Sequence, residues 1–391
     1  MAGESGPALL DQPPVIRVAL DGTPLLGQRT GIGRYTEHLL TALGDRAELA
    51  VSATAFSLRG AGGLRDAVPP GVRARSLPAP ARLLRTLWSR FEFPPVRPFS
   101  GPVDVFHATN FVLPPTGRAG GVVTIHDLAY LTRPDTVDAT SRQLVDLVPR
   151  SLARAAVVCT PTRAVADQVR EAYGPAVRQV VVTPLGVDPG WLSVEPPQPA
   201  DRVRLGLPPD YLLFVGTREP RKALDTLVAA YRHYHDSTAD APTLLLVGAR
   251  GWGPGLGPAG SDDQPGPGVR VRDYTPAGEL RTIVAGARAV VMPSRDEGFG
   301  LPALEGLAAG VPVIVSDIPA LLEVTDGRAD VFPMGEIEAL ADLLGVVTER
   351  DRGLAPGERT AARRARRDFA AGWTWLRCAD ATVRAYRLAV D

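Results

Sequence analysis

The chain of 391 residues contains a single lysine, Lys222, among 43 basic residues. It ends the stretch Val-Gly-Thr-Arg-Glu-Pro-Arg-Lys, in which Arg218 and Arg221 lie close by, and an apolar run, Tyr211–Val215, leads into the turn. An ammonium group is a compact point charge that suits a phosphate oxygen. Because a helical pattern follows, the N–H groups and dipole of a helix start also favour an anion here. The cluster therefore predicts a phosphate-binding site.

A second cluster, Glu297-Gly-Phe-Gly-Leu-Pro-Ala-Leu-Glu305, follows the apolar run Ala289–Met292. Gly298 and Gly300 free the turn to expose successive N–H groups, and the proline suits the first turn of a helix. Carboxylates accept hydrogen bonds from vicinal hydroxyls such as those of ribose or a sugar. The two glutamates can face one crevice at the carboxyl end of a sheet, which is where α/β proteins bind ligands.

Histidines follow two further apolar runs. His126, with Asp127 after it, ends the run Val122–Ile125, and this position favours a functional histidine over a structural one. His107 ends the run Val103–Phe106 and is a weaker candidate, for the part of the cleft where a second substrate, an acceptor, would bind. Tyr130 is predicted to line the same cleft.

Short apolar runs alternate with helical patterns along nearly the whole chain, which predicts parallel sheets buried on both faces in an α/β architecture. A proline-rich break at residues 194–199 separates two sets of runs, each long enough for a doubly wound sheet. The predicted strands are Val15–Leu20, Leu49–Phe56, Val103–Phe106, Val122–Ile125, Ala156–Cys159 and Val180–Thr183, then Tyr211–Val215, Thr243–Val247, Val269–Val271, Ala289–Met292 and Val311–Val315.

Composition excludes several classes of protein. The formal net charge is zero, which argues against a broad nucleic-acid-binding surface, and two cysteines cannot build a disulfide framework. The sequence contains no Asp-x-Asp triplet and no cluster with metal-ligand spacing, so we expect no metal. Because there is no membrane-length apolar run and residues 1–14 resemble a loose leader, we expect a cytoplasmic protein.

Taken together, the motifs resemble the retaining nucleotide-sugar glycosyltransferases of family four, the glycosyl transferases group 1. The resemblance covers the chain from about residue 15 to its end, in the family's order. It rests on Thr-Gly-Ile-Gly-Arg-Tyr at 30–35, Ile-His-Asp at 125–127, Pro-Leu-Gly-Val-Asp at 184–188, and the two clusters above.

This resemblance implies a GT-B fold, an α/β fold in which two Rossmann-like, doubly wound parallel-sheet domains face a central cleft. Residues 15–192 would form the acceptor-binding domain and residues 203–370 the nucleotide-sugar-binding domain. Residues 371–391 would form a helix that packs back on the first domain.

The resemblance also implies roles for individual residues. Lys222 would contact the diphosphate together with an arginine, either Arg218 or Arg221. Glu305 would bind the ribose hydroxyls, Glu297 would face the donor sugar, and His126 would lie near the reacting centre. Backbone N–H groups of the loop and the glycines of the first motif would approach the sugar and diphosphate; these residues are Phe299, Gly300, Leu301, Gly31 and Gly33.

The implied reaction moves a hexose from a nucleotide diphosphate sugar to a glycan, lipid-linked or small-molecule acceptor, with retention and without a metal or other cofactor. GDP-mannose is the preferred donor because the 30–35 and 215–222 motifs look mannosyltransferase-like, and UDP-glucose and related donors remain alternatives. An NAD-dependent oxidoreductase fits poorly, since Thr36 replaces the third glycine of a dinucleotide fingerprint. A non-catalytic nucleotide-sugar-binding protein would predict a damaged acid pair or a missing histidine, and neither occurs in this sequence.

Two segments leave alternatives open. Residues 81–91 alternate arginine with apolar and aromatic residues at helical spacing, which fits contact with a membrane surface or a lipid-linked glycan. An ordinary amphipathic helix with a basic outer face is the simpler interpretation. Residues 251–268 are rich in glycine and proline and predict a long loop, either a passive insertion or a lid.

Overall fold

The computed structural model describes residues 15–27, 29, 31–58, 60–253, 255 and 265–391. The predicted leader, Thr30 of the first glycine motif and most of the predicted loop at 251–268 lie outside the described residues. The fold consists of two α/β domains, each built around a parallel sheet.

In the described part of the chain, the first sheet has seven parallel strands in the order β3-β2-β1-β4-β5-β6-β7. The strands are β1 (Ile16–Asp21), β2 (Leu49–Thr54), β3 (Arg73–Ala74), β4 (Val105–Ala108), β5 (Gly120–Thr124), β6 (Val157–Thr160) and β7 (Val180–Val182). The helices are α1 (Gly31–Gly44), α2 (Leu64–Ala67), α3 (Ala81–Trp88), α4 (Arg97–Ser100), α5 (Ala129–Thr132), α6 (Ala139–Arg142), α7 (Leu144–Arg154) and α8 (Arg163–Tyr173), with short 3-10 turns at Thr23–Leu25, Ala61–Gly63 and Gly174–Ala176.

The second sheet has six parallel strands over the described residues, in the order β10-β9-β8-β11-β12-β13. They are β8 (Tyr211–Val215), β9 (Thr243–Val247), β10 (Val269–Arg272), β11 (Ala289–Met292), β12 (Val313–Ser316) and β13 (Asp330–Phe332). The helices that follow the first domain are α9 (Pro189–Leu192), α10 (Pro199–Leu205), α11 (Leu224–Ser237), α12 (Ala277–Ala285), α13 (Leu301–Ala308), α14 (Pro319–Thr325), α15 (Ile337–Gly353), α16 (Pro356–Ala371) and α17 (Trp375–Val390), with a 3-10 turn at Pro220–Lys222.

The strand order of each sheet reverses at one point. The chain runs outwards from β1 through β2 and β3, then returns to add β4 on the other side of β1, and β8 and β11 are neighbours for the same reason. Loops at the carboxyl ends of these strands diverge on opposite sides of the sheet and leave a crevice between them. The loops that carry Lys222 and Glu297 follow β8 and β11, so they flank this crevice.

The C-terminal helix α17 packs against the first domain, where it contacts α1 and strands β5 and β6. The crossover is fixed by a hydrogen bond from the Val187 N–H to the Trp373 carbonyl at 2.9 Å. Cys378, Val383 and Tyr386 of this helix are buried. The last helix therefore belongs to the core of the domain in which the chain began.

His107 is a structural residue, and the prediction that it serves the acceptor side is wrong. Its side chain is fully buried, with Nδ1 2.9 Å from the Tyr386 hydroxyl and Nε2 2.8 Å from the Thr124 hydroxyl. Burial, and secondarily the nearby His126, lowers the pKa of His107 to about 3, so the ring is neutral. It connects β4 and β5 to α17.

None of the helices in the described ranges is long and apolar enough to cross a membrane.

Candidate active site

Lys222 and Glu297 form an ion pair at the switch point of the second sheet, the place between β8 and β11 where its strand order reverses. Lys222, in the turn after β8, donates from Nζ to Glu297 Oε1 at 2.5 Å. The Ser294 hydroxyl donates to the same oxygen at 2.8 Å, and Arg221 Nη1 lies 3.4 Å from Glu297 Oε2. The carboxylate, which is 8% exposed, thus has a hydrogen-bond donor on each oxygen. Such pairing is what a buried charge requires.

The charges around this pair stabilise one another. Burial works to raise the pKa of Glu297, but Lys222 and Arg221 outweigh it and hold that pKa below its usual range. Burial works to lower the pKa of Arg221, but the nearby carboxylates, Asp127 first, raise it above its usual value. Arg221 Nη2 also donates to Glu219 at 2.8 Å. Arg221 and Glu297 are therefore both charged at neutral pH.

Of the two arginines predicted to help Lys222, Arg221 lies in this cluster and Arg218 lies to its side. Arg218 Nη1 donates to the Gly248 carbonyl at 2.8 Å, and Nη2 lies 3.5 Å from Asp273 Oδ1. Arg218 thus contacts the loop after β9 and the residue after β10. The choice between the two arginines as phosphate ligands stays a prediction.

Glu305 forms an ion pair with Arg34 across the domain interface. Glu305 lies in the second turn of α13 and is 2% exposed, while Arg34 lies in the first turn of α1. We did not predict this arginine as a site residue, although its place as the charged residue of the 30–35 motif was a usable signal. Both carboxylates predicted to bind the nucleotide sugar therefore form ion pairs with cationic side chains.

The loop before α13 touches the first domain closely. A Cβ atom on Gly298 would lie 1.6 Å from the His126 carbonyl oxygen, so the backbones meet where a side chain has no room. The Thr162 hydroxyl donates to the Gly298 carbonyl at 3.0 Å. Gly300 has φ of +89° and is the N-cap of α13, while Phe299 packs edge-on against Trp373. Leu301, half-buried, is the first residue of that helix.

His126 lies at the interface in a fixed orientation. Its Nε2 is 2.8 Å from the Thr109 carbonyl, and because a carbonyl only accepts, this nitrogen carries the proton. Tyr35 and Phe111 contact the ring edge-on. Burial lowers the pKa of His126, so the ring is neutral at pH 7 and its Nδ1 is an acceptor.

The glycines of the first motif, which were expected to approach the donor, lie in the first turn of α1. Gly33 is buried, and a Cβ there would lie 2.7 Å from the Pro24 carbonyl oxygen, so this glycine lets α1 pack on the turn after β1. Gly31 is exposed, with open space at its Cβ position. Packing of α1 thus explains Gly33 without a ligand.

Tyr130 does not line the cleft. It is 1% exposed, and its hydroxyl bonds to that of Tyr173 at 2.8 Å. The prediction failed because the residues after His126 turn into α5, which points this ring into the core of the first domain.

Asp296 is a buried acid that we did not predict. Its Oδ2 accepts from the Thr132 hydroxyl across the interface at 2.9 Å. Burial, then repulsion from Asp127, raises the pKa of Asp296 to about 6. Beside it opens a crevice of about 310 Å³ between the domains, whose polar lining includes Glu297, Arg133, Gln168 and Asp317.

Comparisons with known proteins match both halves of the chain. The model of the family "Glycosyl transferases group 1" matches residues 209–348, and that of "Glycosyl transferase 4-like domain" matches residues 30–186. The O-antigen chain mannosyltransferase B of Escherichia coli is 27% identical over 73% of this chain and 74% of its own length. The D-inositol 3-phosphate glycosyltransferase of Actinosynnema mirum is 33% identical over 58% of this chain, which spans about half (56%) of that protein.

Solved structures with the same fold cover nearly the whole chain. Sucrose-phosphate synthase from Thermosynechococcus elongatus has a TM-score of 0.66 at 20% identity, over 95% of this chain and 98% of its own. HepE from Anabaena, solved with UDP and glucose, has a TM-score of 0.65 at 16% identity, over 94% and 98%. With the two facing parallel-sheet domains, these likenesses confirm the predicted GT-B fold.

Replacing Asp296 by asparagine tests the charge balance of the interface. Because the pKa of Asp296 is raised, its contribution to stability is full below about pH 4 and is lost as the pH rises through about 6. Asp296→Asn should therefore raise the apparent melting temperature at pH 7, by the equivalent of about 3 kcal/mol, and have little effect at pH 4. Melting curves across this range check it, with the exposed Asp342→Asn as control. Melting temperatures of Asp296→Asn and the parent that change in parallel with pH would contradict the raised pKa of Asp296.

Proposed function

The chain belongs to the glycosyl transferases group 1 family of enzymes, and from that premise we propose that it transfers a hexose from a nucleotide diphosphate sugar to an acceptor hydroxyl with retention of configuration. The observation that carries the proposal is the Lys222–Glu297 ion pair at the switch point of the second sheet. The cation and the start of a helix suit the diphosphate of a donor, and the carboxylate beside them suits the sugar of the same molecule.

In this proposal the donor takes over contacts that the protein makes internally. The Lys222 ammonium group donates a hydrogen bond to a diphosphate oxygen where it now donates to Glu297. Glu297 in turn accepts hydrogen bonds from sugar hydroxyls. Arg221 remains beside Glu297 and keeps that carboxylate ionised. The exchange avoids stranding either charge in a buried site, which would be costly.

The ribose of the donor would replace Arg34 on Glu305. A buried carboxylate with two oxygens suits two vicinal hydroxyls, which donate where the guanidinium donates now. The released Arg34 is then a cation on the first domain next to the diphosphate. Its charge supports an anionic donor over a neutral nucleoside.

The proposed chemistry occurs on one face of the sugar. The acceptor oxygen bonds to the anomeric carbon as the bond from that carbon to the phosphate oxygen breaks, and the acceptor proton moves to the departing phosphate. Lys222, an arginine and the backbone N–H groups at the start of α13 neutralise the leaving group, so no metal or other cofactor is required. His126, neutral and fixed by Thr109, would bind the sugar near the reacting carbon.

GDP-mannose is the donor that we propose first. The O-antigen chain mannosyltransferase B of E. coli supports mannose as the sugar. The HepE complex with UDP and glucose and the D-inositol 3-phosphate glycosyltransferase support the alternative, a UDP-sugar donor in the same site.

The acceptor is proposed to be a glycan, lipid-linked or small-molecule hydroxyl that enters the crevice beside Glu297. Its polar lining from both domains suits a polyhydroxylated ligand. We further propose a cytoplasmic location, peripheral to the inner face of the membrane, where nucleotide sugars and lipid-linked acceptors would meet.

Neutral variants of the central ion pair test the site. Lys222→Ala and Glu297→Gln should each lower turnover on the order of a hundredfold or more, since each removes charge that faces the leaving group or the sugar. Turnover is measured by release of nucleoside diphosphate, and folding by circular dichroism. The exposed Glu338→Gln, on α15, is the matched control. Parent-like turnover in both site variants would refute the assignment.

Nucleotide preference tests the donor and the absence of a metal together. In buffer containing EDTA, GDP should raise the melting temperature more than UDP, and NAD should not raise it, because only a bound ligand stabilises the folded state. Calorimetric titration of the best nucleotide checks the affinity. A larger response to UDP would select the alternative donor, whereas a response to NAD alone, or one that needs added Mg²⁺, would contradict the proposal.

A further inference from the structure

The region around α3 is strongly basic, although the chain as a whole is neutral. Residues 67–103 contain six arginines and a single acidic residue, Glu92, so this segment has a net charge of +5 while the whole chain has zero. Glu92 is itself paired with Arg154 at 2.7 Å. The arginines Arg73, Arg75, Arg82, Arg90 and Arg97 are exposed.

Large apolar side chains are exposed among these arginines. Leu83 on α3 is 55% exposed, and Phe91 and Phe93 just after the helix are 58% and 67% exposed. The opposite face of α3 accounts for its folding, because Leu84 and Trp88 are buried and Trp88 packs edge-on against Phe56. The outward apolar side chains therefore do not contribute to the core. We call Arg82, Leu83, Arg90, Phe91 and Phe93 the α3 surface.

We propose that the α3 surface docks on an anionic lipid bilayer. Such a membrane has an anionic headgroup layer and an acyl layer beneath it. The arginines of this surface match the headgroups, and the exposed rings on the turn after the helix can enter the acyl boundary. A nucleic acid would satisfy the arginines and leave the apolar side chains in water. Charge and apolar exposure together therefore favour a lipid surface.

The position of the α3 surface deepens the proposed function. The chain before α3 is hydrogen-bonded to the loop after β2, from the Ala79 N–H to the Ser57 carbonyl at 3.1 Å. That loop lies at the carboxyl end of the first sheet, the end that carries His126 and faces the second domain. A bilayer at α3 is thus on the acceptor domain beside the cleft. This placement, which rests on the proposed transferase function, favours a lipid-anchored acceptor.

Vesicle sedimentation tests the docking directly. The full chain, without a donor, is mixed with sucrose-loaded vesicles of phosphatidylcholine alone or with about a third phosphatidylglycerol. We expect at least about tenfold tighter binding to the anionic vesicles, weakened by added salt. Equal binding to both vesicles, or none to either, overturns the proposal.

Paired variants assign the binding to the α3 surface. Arg82→Gln/Arg90→Gln should weaken partitioning roughly thirtyfold, and Leu83→Ser/Phe91→Ser should weaken it by at least about tenfold. Arg118→Gln/Arg364→Gln removes the same charge from exposed positions elsewhere and should leave binding unchanged. If both α3 variants bind vesicles like the parent, the lipid assignment fails. It also fails if the Leu83→Ser/Phe91→Ser variant binds like the parent and added DNA displaces the protein completely from the vesicles.

A nucleotide readout separates this proposal from the proposed function. The α3 variants should keep the parent's thermal response to GDP or UDP, because their changes lie outside the donor site. Lost vesicle binding with a retained nucleotide response supports the docking surface. A nucleotide response without vesicle binding in the parent overturns the docking alone.

Discussion

One buried carboxylate constrains the active region of this protein. Glu297 is ionised inside the interface and stays so because Lys222, Arg221 and Ser294 donate to it. Removing a partner would leave an uncompensated charge in a site of low polarity, which is far more costly than the pair is stabilising. The turn after β8 and the loop after β11 are therefore fixed relative to each other, and both strands must be neighbours in the sheet.

Domain closure depends on the same electrostatics. Arg221 lies 3.6 Å from Asp127 of the first domain, Arg34 pairs with Glu305, and Thr132 donates to Asp296. Each contact joins the two domains at a position where the nucleotide sugar would need polar partners. The closed arrangement therefore satisfies the site internally. Under the proposed function, a ligand would enter by exchanging these pairs, provided that it brings an anion and hydroxyls of its own.

Sequence predicted the strands well and the contacts between domains poorly. Strands buried on both faces appear as continuous apolar runs, so eleven strands were predicted close to their observed bounds, while β3 and β13 are short and partly exposed and were missed. The motifs identified Lys222 and Glu297 because both follow such strands. The Arg34–Glu305 pair spans 271 positions and depends on how two domains close, which no local pattern encodes. The failure of His107 has a similar cause, because the helix that buries it lies 279 positions away.

A crystal structure of the protein with bound nucleoside diphosphate tests the central claim most directly. The account predicts a phosphate oxygen within hydrogen-bonding distance of Lys222 Nζ, the ribose hydroxyls on Glu305 in place of Arg34, and the phosphates next to the start of α13. A nucleotide bound elsewhere, with the Lys222–Glu297 and Arg34–Glu305 pairs unchanged, would contradict it.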